Sequence, residues 1–170
     1  MIETPSTPVL ARSPASPRLR IMNRVGNPLM RTVLRSPLHG ICDKALLLLT
    51  YRGMRSGQFY TLPVEYAEDG ADLFVVVGTP NEKVWWRNLR DGQMVTLLLR
   101  GASTQRYARV VSDDHAMLLR GLSAYLTRFP AAAAHEGITR HPDGTFDRDS
   151  LERSATQAVV IRLTPLEPAA

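Results

Sequence analysis

A short cationic turn lies between two apolar runs in the first half of the chain. The stretch reads LTYRGMRSGQFYTLP over residues 49–63 and carries two arginines, two glycines and a serine. A turn from Gly53 to Gly57 directs successive backbone N–H groups into one concavity, which suits an anion. Arg55 and Ser56 add a guanidinium fork and a hydroxyl donor. These residue types predict an anion site, although a plain hairpin with solvated arginines has the same pattern.

A second cluster follows about 20 residues later and reads GTPNEKVWWRNL over residues 78–89. Gly78 and Thr79 follow an apolar run and allow a ligand to approach the backbone closely. Trp85 and Trp86 are neighbours, so on a helix their side chains point about 100° apart. One indole is expected to enter the core while the other covers a ligand or an interface. Two purely structural tryptophans remain the alternative.

Other catalytic signatures are absent from the sequence. GMRSG places Ser56 beside the second glycine, whereas a nucleophile elbow centres its serine between two glycines. The histidines are not at metal-binding helical spacing, and the single cysteine forms no cysteine-based zinc cluster, so no metal site is predicted. Neither GxGxxG nor GxxxxGK occurs, which argues against classical nicotinamide-dependent and nucleotide-hydrolysing folds. No catalytic side chain is assigned.

Composition predicts one compact domain in the cytoplasm. The chain has 170 residues, of which 44% are apolar, enough for a single core. The net charge is +5, but 19 of the 21 basic residues are arginines interspersed with acidic residues, so no nucleic-acid partner is predicted. The longest apolar run, residues 45–49, is too short for a transmembrane segment, and peripheral membrane association stays open. A single cysteine forms no internal disulfide, which fits a reducing compartment.

The pattern of apolar residues predicts a mainly β domain with peripheral helices, of the α+β class. Residues 1–22 have the composition of a disordered tail, and residues 23–165 of a single domain. A short amphipathic helix is expected from Asn27 and Pro28 to Pro37. Six strands are expected at residues 44–51, 59–67, 71–79, 93–100, 104–111 and 157–165. Hairpins at residues 68–70 and 101–103 favour antiparallel pairing in a closed or nearly closed barrel.

Two further helices complete the prediction. Residues 83–92 form about two turns that end at Gly92, and a longer helix, capped by Ser112 or Asp113, runs to Pro130. Residues 135–149 are expected to be a loop. Tyr125 and Phe129 fall on the apolar face of the longer helix, where they are candidates to line a substrate pocket. The alternative is that they are core residues at helical spacing.

Taken together, the two clusters resemble the deazaflavin-dependent nitroreductase family, actinobacterial reductases that use coenzyme F-420. The match reads L-T-x-x-G-x-R-S-G-x-x-Y-T-x-P and then V-x-W-W-R-N-L, and the similarity covers roughly residues 27–163. The resemblance implies a six-stranded antiparallel split β-barrel, like that of FMN-binding pyridoxamine-phosphate oxidases. It implies cofactor binding by Arg55, Ser56, Gly57, Tyr60, Thr61, Pro63, Gly78, Thr79, Lys83, Val84, Trp85 and Asn88.

Within that set, the resemblance assigns each part of the chain to a part of the cofactor. The Arg55–Ser56–Gly57 turn grips the phosphate, whereas Lys83 and Asn88 lie near the anionic tail. The residues that border the deazaflavin ring are Gly78, Thr79, Val84 and Trp85. Two usual basic residues of the family are replaced by Met54 and Tyr60. This leaves Arg55 as the sole strong anchor in the sequence-based interpretation.

The function implied is hydride transfer from reduced coenzyme F-420 to a small-molecule electron acceptor, namely a quinone, a nitroaromatic or another conjugated molecule. Such a reaction needs positioning more than acid–base side chains. One alternative is an FMN-binding oxidoreductase on the same fold. Another is a non-catalytic protein that binds a cofactor, haem or a lipid. The protein is expected to be a monomer or a homodimer.

Overall fold

The structure, a computed structural model, describes residues 45–166. The predicted tail (residues 1–22) and the predicted first helix lie outside this range. The strands are β1 (Leu46–Arg52), β2 (Phe59–Glu65), β3 (Ala67–Asp69), β4 (Asp72–Val76), β5 (Gln93–Leu99), β6 (Ala102–Val110) and β7 (Val160–Pro165). The helices are a 3-10 helix (Trp85–Leu89), α1 (His115–Arg128), α2 (Pro130–His135) and α3 (Arg148–Ala155).

The strands form one antiparallel sheet in the order β2-β1-β5-β6-β7-β4-β3. Its two edge strands, β2 and β3, are consecutive in the chain and are separated by Tyr66 alone. The sheet therefore curls until its edges approach each other, which produces a half-barrel and confirms the predicted split-barrel fold. Tyr66 is fully buried at this closure.

The seventh strand arises because the predicted second strand breaks at Tyr66. The residues after this break form β3, which pairs with β4 from Ala67 opposite Phe74 to Asp69 opposite Asp72. The prediction of a hairpin here is confirmed, but its turn lies at residues 70–71 rather than 68–70. Gly70 has a φ of 61°, which a glycine adopts at little cost.

The β5–β6 hairpin also has a shifted turn. Leu99 lies opposite Ala102, so the turn residues are Arg100 and Gly101 rather than residues 101–103. Their φ angles are 51° and 77°. Two successive positive φ angles are typical of the two-residue turn whose twist matches that of the flanking strands.

The barrel interior is filled by alternate residues of each strand. In β1, Leu47, Leu49 and Tyr51 point inward and are buried, as the two-residue period of a strand requires. Ile161 and Leu163 of β7 contribute to the same cluster. Burying each large apolar side chain stabilises the fold by about 1.5–3 kcal/mol.

A second apolar cluster lies between the sheet and the helices. Phe74 and Val160 pack there against Leu122 and Leu126 of α1. A Cβ added at Gly121 would lie 2.5 Å from the Phe74 ring, so a glycine allows this close contact between helix and sheet. The helices thus pack against the outside of the barrel where β4 and β7 are neighbours.

The predicted cap of the long helix is wrong by one residue. Asp114 caps α1, and its carboxylate accepts a hydrogen bond from the Met117 N–H at 2.9 Å. Asp113 instead pairs with Arg109 at 2.8 Å. The helix ends before Pro130, as predicted, but this proline begins α2.

Helix α3 was not predicted. Its sequence is mostly polar, and only one side of it is buried, at Ser150, Leu151 and Ala155. Asp147 caps it by accepting a hydrogen bond from the Ser150 N–H. The predicted loop at residues 135–149 is therefore helical at both of its ends, where α2 finishes and α3 begins.

Candidate functional site

The cationic turn, residues 53–58, is closed by two backbone hydrogen bonds. The Gly53 N–H donates to the Gln58 carbonyl and the Gly57 N–H donates to the Gly53 carbonyl, both at 2.8 Å. Gly57 has a φ of 66°, which favours glycine. A Cβ added at Gly53 would lie 2.7 Å from Ser56 Oγ, closer than real contacts allow. Both glycines are therefore needed for this conformation.

Several donors on the cationic turn are available to a ligand. Within residues 45–166, the N–H groups of Arg55 and Ser56 have no hydrogen-bond acceptor. Ser56 Oγ accepts from the Gln58 N–H at 3.3 Å and lies 3.0 Å from the Tyr60 hydroxyl. A phenol is a stronger donor than an aliphatic hydroxyl, so we assign the donor role to Tyr60. Ser56 then keeps its own O–H for a ligand.

The cationic turn and the 3-10 helix that contains Trp85 and Trp86 are joined by a direct hydrogen bond. The Met54 N–H donates to Asn88 Oδ1 at 3.0 Å. The side-chain amide of Asn88 also donates to the Trp85 carbonyl at 2.8 Å, which fixes the orientation of the side chain. The structure therefore brings the two sequence clusters together.

Beside the cationic turn, three aromatic rings form an aromatic wall made of Tyr60, Tyr51 and Trp85. The rings of Tyr60 and Tyr51 are stacked with centroids 5.8 Å apart, and those of Tyr51 and Trp85 are tilted at 6.3 Å. Tyr51 is only 5% exposed. Its burial and the neighbouring Tyr60 raise the pKa of its hydroxyl to about 12, so Tyr51 stays neutral at physiological pH.

The adjacent tryptophans have different surroundings, as the sequence predicted. Trp86 is 8% exposed, belongs to the core and donates from Nε1 to the Pro80 carbonyl at 3.1 Å. Trp85 is partly exposed and contacts Tyr51. Trp85 is thus the indole that lies at the aromatic wall.

Arg52 belongs to the same region but was missed as a site residue. Its Nε donates to the Gly57 carbonyl at 3.1 Å, so a second guanidinium contacts the cationic turn, which also contains Arg55. The Gln93 side chain holds the Arg52 backbone by accepting from its N–H and donating to its carbonyl, each at 3.1 Å. The same amide donates to the Asn88 carbonyl at 2.8 Å.

The segment between β4 and the 3-10 helix contains four more of the predicted cofactor-binding residues. A Cβ added at Gly78 would lie 3.5 Å from Lys83 Nζ, so the ammonium group lies over this glycine. Thr79 has a φ of 50°, a rare conformation for a β-branched residue. Its carbonyl accepts from the N–H groups of Glu82 and Lys83. Val84, at the start of the 3-10 helix, is exposed.

Two predicted residues of β2 point away from the aromatic wall. Tyr60 lies on the inward side with Tyr51, whereas Thr61 and Pro63 alternate to the other face. The Thr61 hydroxyl lies 2.8 Å from that of Thr50 on that face. The structure therefore does not bring these two residues together with Tyr60.

Tyr125 and Phe129, the predicted substrate-pocket residues, lie at the opposite end of the β1–β2 hairpin. The Tyr125 hydroxyl donates to the Glu65 carboxylate, and the two aromatic rings contact each other at 4.8 Å. Glu65 ends β2, six residues after Phe59. At about 3.3 Å per residue, this is roughly 20 Å from the cationic turn.

An open groove of about 530 Å³ lies on the Trp86 side of the 3-10 helix. It is lined by Trp86, Arg90, Asp91, Arg109, Val110 and Ser112. In this groove Arg109 pairs with Asp113 at 2.8 Å, and the Arg90 guanidinium lies over the Trp86 ring at 4.9 Å. Both guanidinium groups of the groove thus contact neighbouring side chains, whereas the cationic turn has backbone N–H groups without an acceptor among residues 45–166.

Residues 45–166 contain no group of three or more His, Cys, Asp or Glu side chains arranged to hold a metal ion. None of the helices in this range has the length and apolar character needed to cross a membrane.

Comparison with solved structures shows the same fold at low sequence identity. An F420-H2 dependent reductase is similar with a TM-score of 0.50 and 17% identity, over 70% of this chain and 93% of that one. A conserved hypothetical protein from Mycobacterium tuberculosis is similar with a TM-score of 0.51 and 16% identity, over 78% and 82%. A protein described as a domain-swapped dimer has a TM-score of 0.51 and 16% identity, over 84% and 98%.

Comparison with curated proteins gives no match. The family model of the F420H(2)-dependent quinone reductases, however, matches residues 32–129. This range contains the cationic turn, the aromatic wall and the 3-10 helix. Because the match covers more than half of the chain, the protein belongs to the F420H(2)-dependent quinone reductase family, whose cofactor is coenzyme F-420.

Proposed function

We propose that this protein is a cytoplasmic reductase that uses coenzyme F-420 to reduce a quinone, a nitroaromatic or another conjugated small molecule. The observation that carries the proposal is the hydrogen bond from the Met54 N–H to Asn88 Oδ1. It joins an anion-binding turn to an aromatic surface, and the cofactor has both an anionic phosphate and a flat ring.

The cationic turn fits the phosphate of the cofactor. Arg55 and the Ser56 hydroxyl supply charge-assisted hydrogen bonds, and the unpaired N–H groups of Arg55 and Ser56 add backbone donors. Gly57 leaves the backbone open to a ligand, since it has no side chain. We assign the phosphate to this turn.

The aromatic wall fits the ring of the cofactor. Trp85 is partly exposed and is held by its neighbours, because its carbonyl accepts from the Asn88 side chain and its ring contacts Tyr51. A large flat side chain held in this way provides a rigid apolar surface. We place Gly78, Thr79 and Val84 at the edge of the ring, and Lys83 near the anionic tail.

The chemistry requires mainly orientation from the protein. When bound, the reduced deazaflavin supplies a hydride. The side chains of the cationic turn and the aromatic wall would hold the donor carbon and the acceptor about 3–3.5 Å apart and exclude water. Reduction of a quinone to the quinol also takes up one proton, which we assign to solvent.

A titration of the full chain followed by a turnover assay tests this proposal. Reduced coenzyme F-420 and FMN are each titrated while tryptophan emission is recorded, and a panel of quinones and nitroaromatics is then added. We expect F-420 to bind more tightly than FMN, and its reduced form to be oxidised by at least one acceptor. Tighter binding of FMN would indicate the flavin-binding alternative. Binding without oxidation by any acceptor would indicate a non-catalytic cofactor-binding protein.

A further inference from the structure

Two guanidinium groups on the cationic turn lack an acidic partner. Across the described part of the chain, five other arginines have a carboxylate within salt-bridge distance, namely Arg100, Arg109, Arg120, Arg148 and Arg162. The other eight described arginines have none there. Two of these eight, Arg52 and Arg55, lie at the cationic turn, and both are exposed. Cations gathered without a compensating carboxylate create a local positive field that attracts anions.

The Arg52 side chain is held in one orientation against the cationic turn. Its Nε donates to the Gly57 carbonyl at 3.1 Å, and a Cβ added at Gly57 would lie 3.5 Å from its Nη2. A guanidinium has five N–H donors. With the Nε donor used by Gly57, the four donors on the terminal nitrogens remain for a ligand.

The backbone of Arg52 is fixed as well. The Gln93 amide bonds to both its N–H and its carbonyl, and the same amide bonds to Asn88, whose side chain holds Met54. An arginine fixed at its backbone and at Nε loses less conformational entropy on binding than a free surface side chain.

We propose that Arg52 is a second guanidinium ligand for the anionic group that binds at the cationic turn, alongside Arg55. This inference rests on the proposed function insofar as the anion is the phosphate of coenzyme F-420. It replaces the view of Arg55 as sole anchor, and it accounts for a turn that binds an anion although positions 54 and 60 are Met54 and Tyr60. Neither a methionine nor a tyrosine side chain supplies a cation.

The test is an NMR titration of the full chain with inorganic phosphate, which follows the amide shifts of Gly57 and Ser56. Arg52→Gln removes the charge, whereas Arg52→Lys keeps the charge and loses the Nε–H donor to Gly57. Arg100→Gln is the matched control, because it removes one charge from an exposed arginine at the far end of the barrel. Melting temperatures are measured for all variants.

For phosphate, we expect Arg52→Gln to raise the dissociation constant about tenfold or more, the value of a hydrogen bond to a charged group. Arg52→Lys should give an intermediate increase, and Arg100→Gln less than twofold. In wild type, raising the salt concentration should weaken binding more steeply than in Arg52→Gln. An Arg52→Gln constant equal to that of Arg100→Gln would overturn the inference. If Arg52→Gln does not fold, Arg52→Lys is the deciding variant. An unchanged dissociation constant for phosphate in folded Arg52→Lys would then overturn the inference.

A parallel titration with coenzyme F-420 separates the two proposals. If phosphate binding depends on Arg52 while F-420 produces no shifts in wild type, Arg52 is an anion ligand and the proposed cofactor is wrong. If F-420 binds wild type and Arg52→Gln equally well while Arg55→Ala binds weakly, the reductase assignment stands and the role of Arg52 is wrong.

Discussion

The two ends of the β1–β2 hairpin use positive charge in different ways. At the end that contains Glu65, cations pair with carboxylates: Arg100 lies 2.6 Å from Glu68, and Arg120 pairs with Asp69. At the end that contains the cationic turn, Arg52 and Arg55 have no carboxylate partner among residues 45–166.

This difference distinguishes arginines that stabilise the fold through ion pairs from arginines that are available to bind a ligand. The hydrogen bond from Arg120 lowers the pKa of Asp69, so the carboxylate keeps its charge in moderately acidic solution and the pair persists. An exposed guanidinium without a carboxylate partner contributes nothing comparable to stability, but it is available to bind an anion. We therefore expect substitutions at the cationic turn to change affinity and substitutions at the far end to change stability.

The largest predicted effect is that of Arg55→Ala on cofactor affinity. It should cost roughly 1.5–3 kcal/mol of binding free energy, because it removes a hydrogen bond between charged groups. Fluorescence titration with coenzyme F-420 measures the change, and Arg100→Ala is the control of equal charge at the far end. Equal dissociation constants for the two variants would contradict the claim that only the arginines at the cationic turn bind the cofactor.

A matched pair of glycines tests whether the conformation of the cationic turn matters beyond its backbone strain. Gly57 and Gly137 both have a φ of 66°, so alanine at either position should lower the free energy of unfolding by about 1 kcal/mol. A Cβ at Gly57 would contact the Arg52 guanidinium, whereas one at Gly137 would meet nothing within 4 Å.

We therefore expect only Gly57→Ala to weaken cofactor binding, by several-fold. Urea unfolding measures stability and fluorescence titration measures affinity. Equal affinity in both alanine variants would show that Arg52 and the backbone at Gly57 do not contact the cofactor.

A smaller effect is expected for Tyr60→Phe. This variant keeps the ring stacked on Tyr51 but removes the hydroxyl that lies 3.0 Å from Ser56 Oγ. Losing this bond should weaken cofactor binding by about 1 kcal/mol. In a Ser56→Ala background, the same substitution should have almost no effect, because its partner is absent. Additive losses in the double mutant would show that Tyr60 does not act through Ser56.

The smallest effect at neutral pH is expected for Tyr51→Phe, which should change stability mainly in alkaline solution. Burial raises the pKa of Tyr51 to about 12 in the folded protein, whereas the unfolded chain has the ordinary value near 10. Between these values the unfolded chain loses its proton first, so wild-type stability falls as pH rises. Urea unfolding at pH 9 and pH 11 should show a smaller fall for Tyr51→Phe. Equal falls would contradict this assignment.

Local features of the fold and the site were predictable from the sequence. The apolar run in LLLLTYR identifies β1 as a buried strand, and Gly53 and Gly57 identify the cationic turn. Arg52 was also within reach, because it directly precedes Gly53 in the quoted stretch. It was missed because a guanidinium that bends back to its own turn leaves no periodic signal.

Features that depend on distant parts of the chain were not predictable. Gln93 bonds to Arg52 across 41 residues, and no spacing rule connects a glutamine to a backbone so remote in sequence. Tyr66 divides one predicted strand into two because the barrel must close there. Tyr125 has the helical spacing of a pocket residue, but only the packed structure shows that its hydroxyl bonds to Glu65.

The most direct test of the account is an NMR titration of the wild-type chain with coenzyme F-420 that follows three N–H signals at once. These are the Gly57 amide on the cationic turn, the Trp85 indole on the aromatic wall and the buried Trp86 indole. We predict that the Gly57 and Trp85 signals shift with a single dissociation constant while the Trp86 signal changes little. Shifts confined to Trp86, or different constants for Gly57 and Trp85, would contradict the claim that the cationic turn and the aromatic wall bind one cofactor.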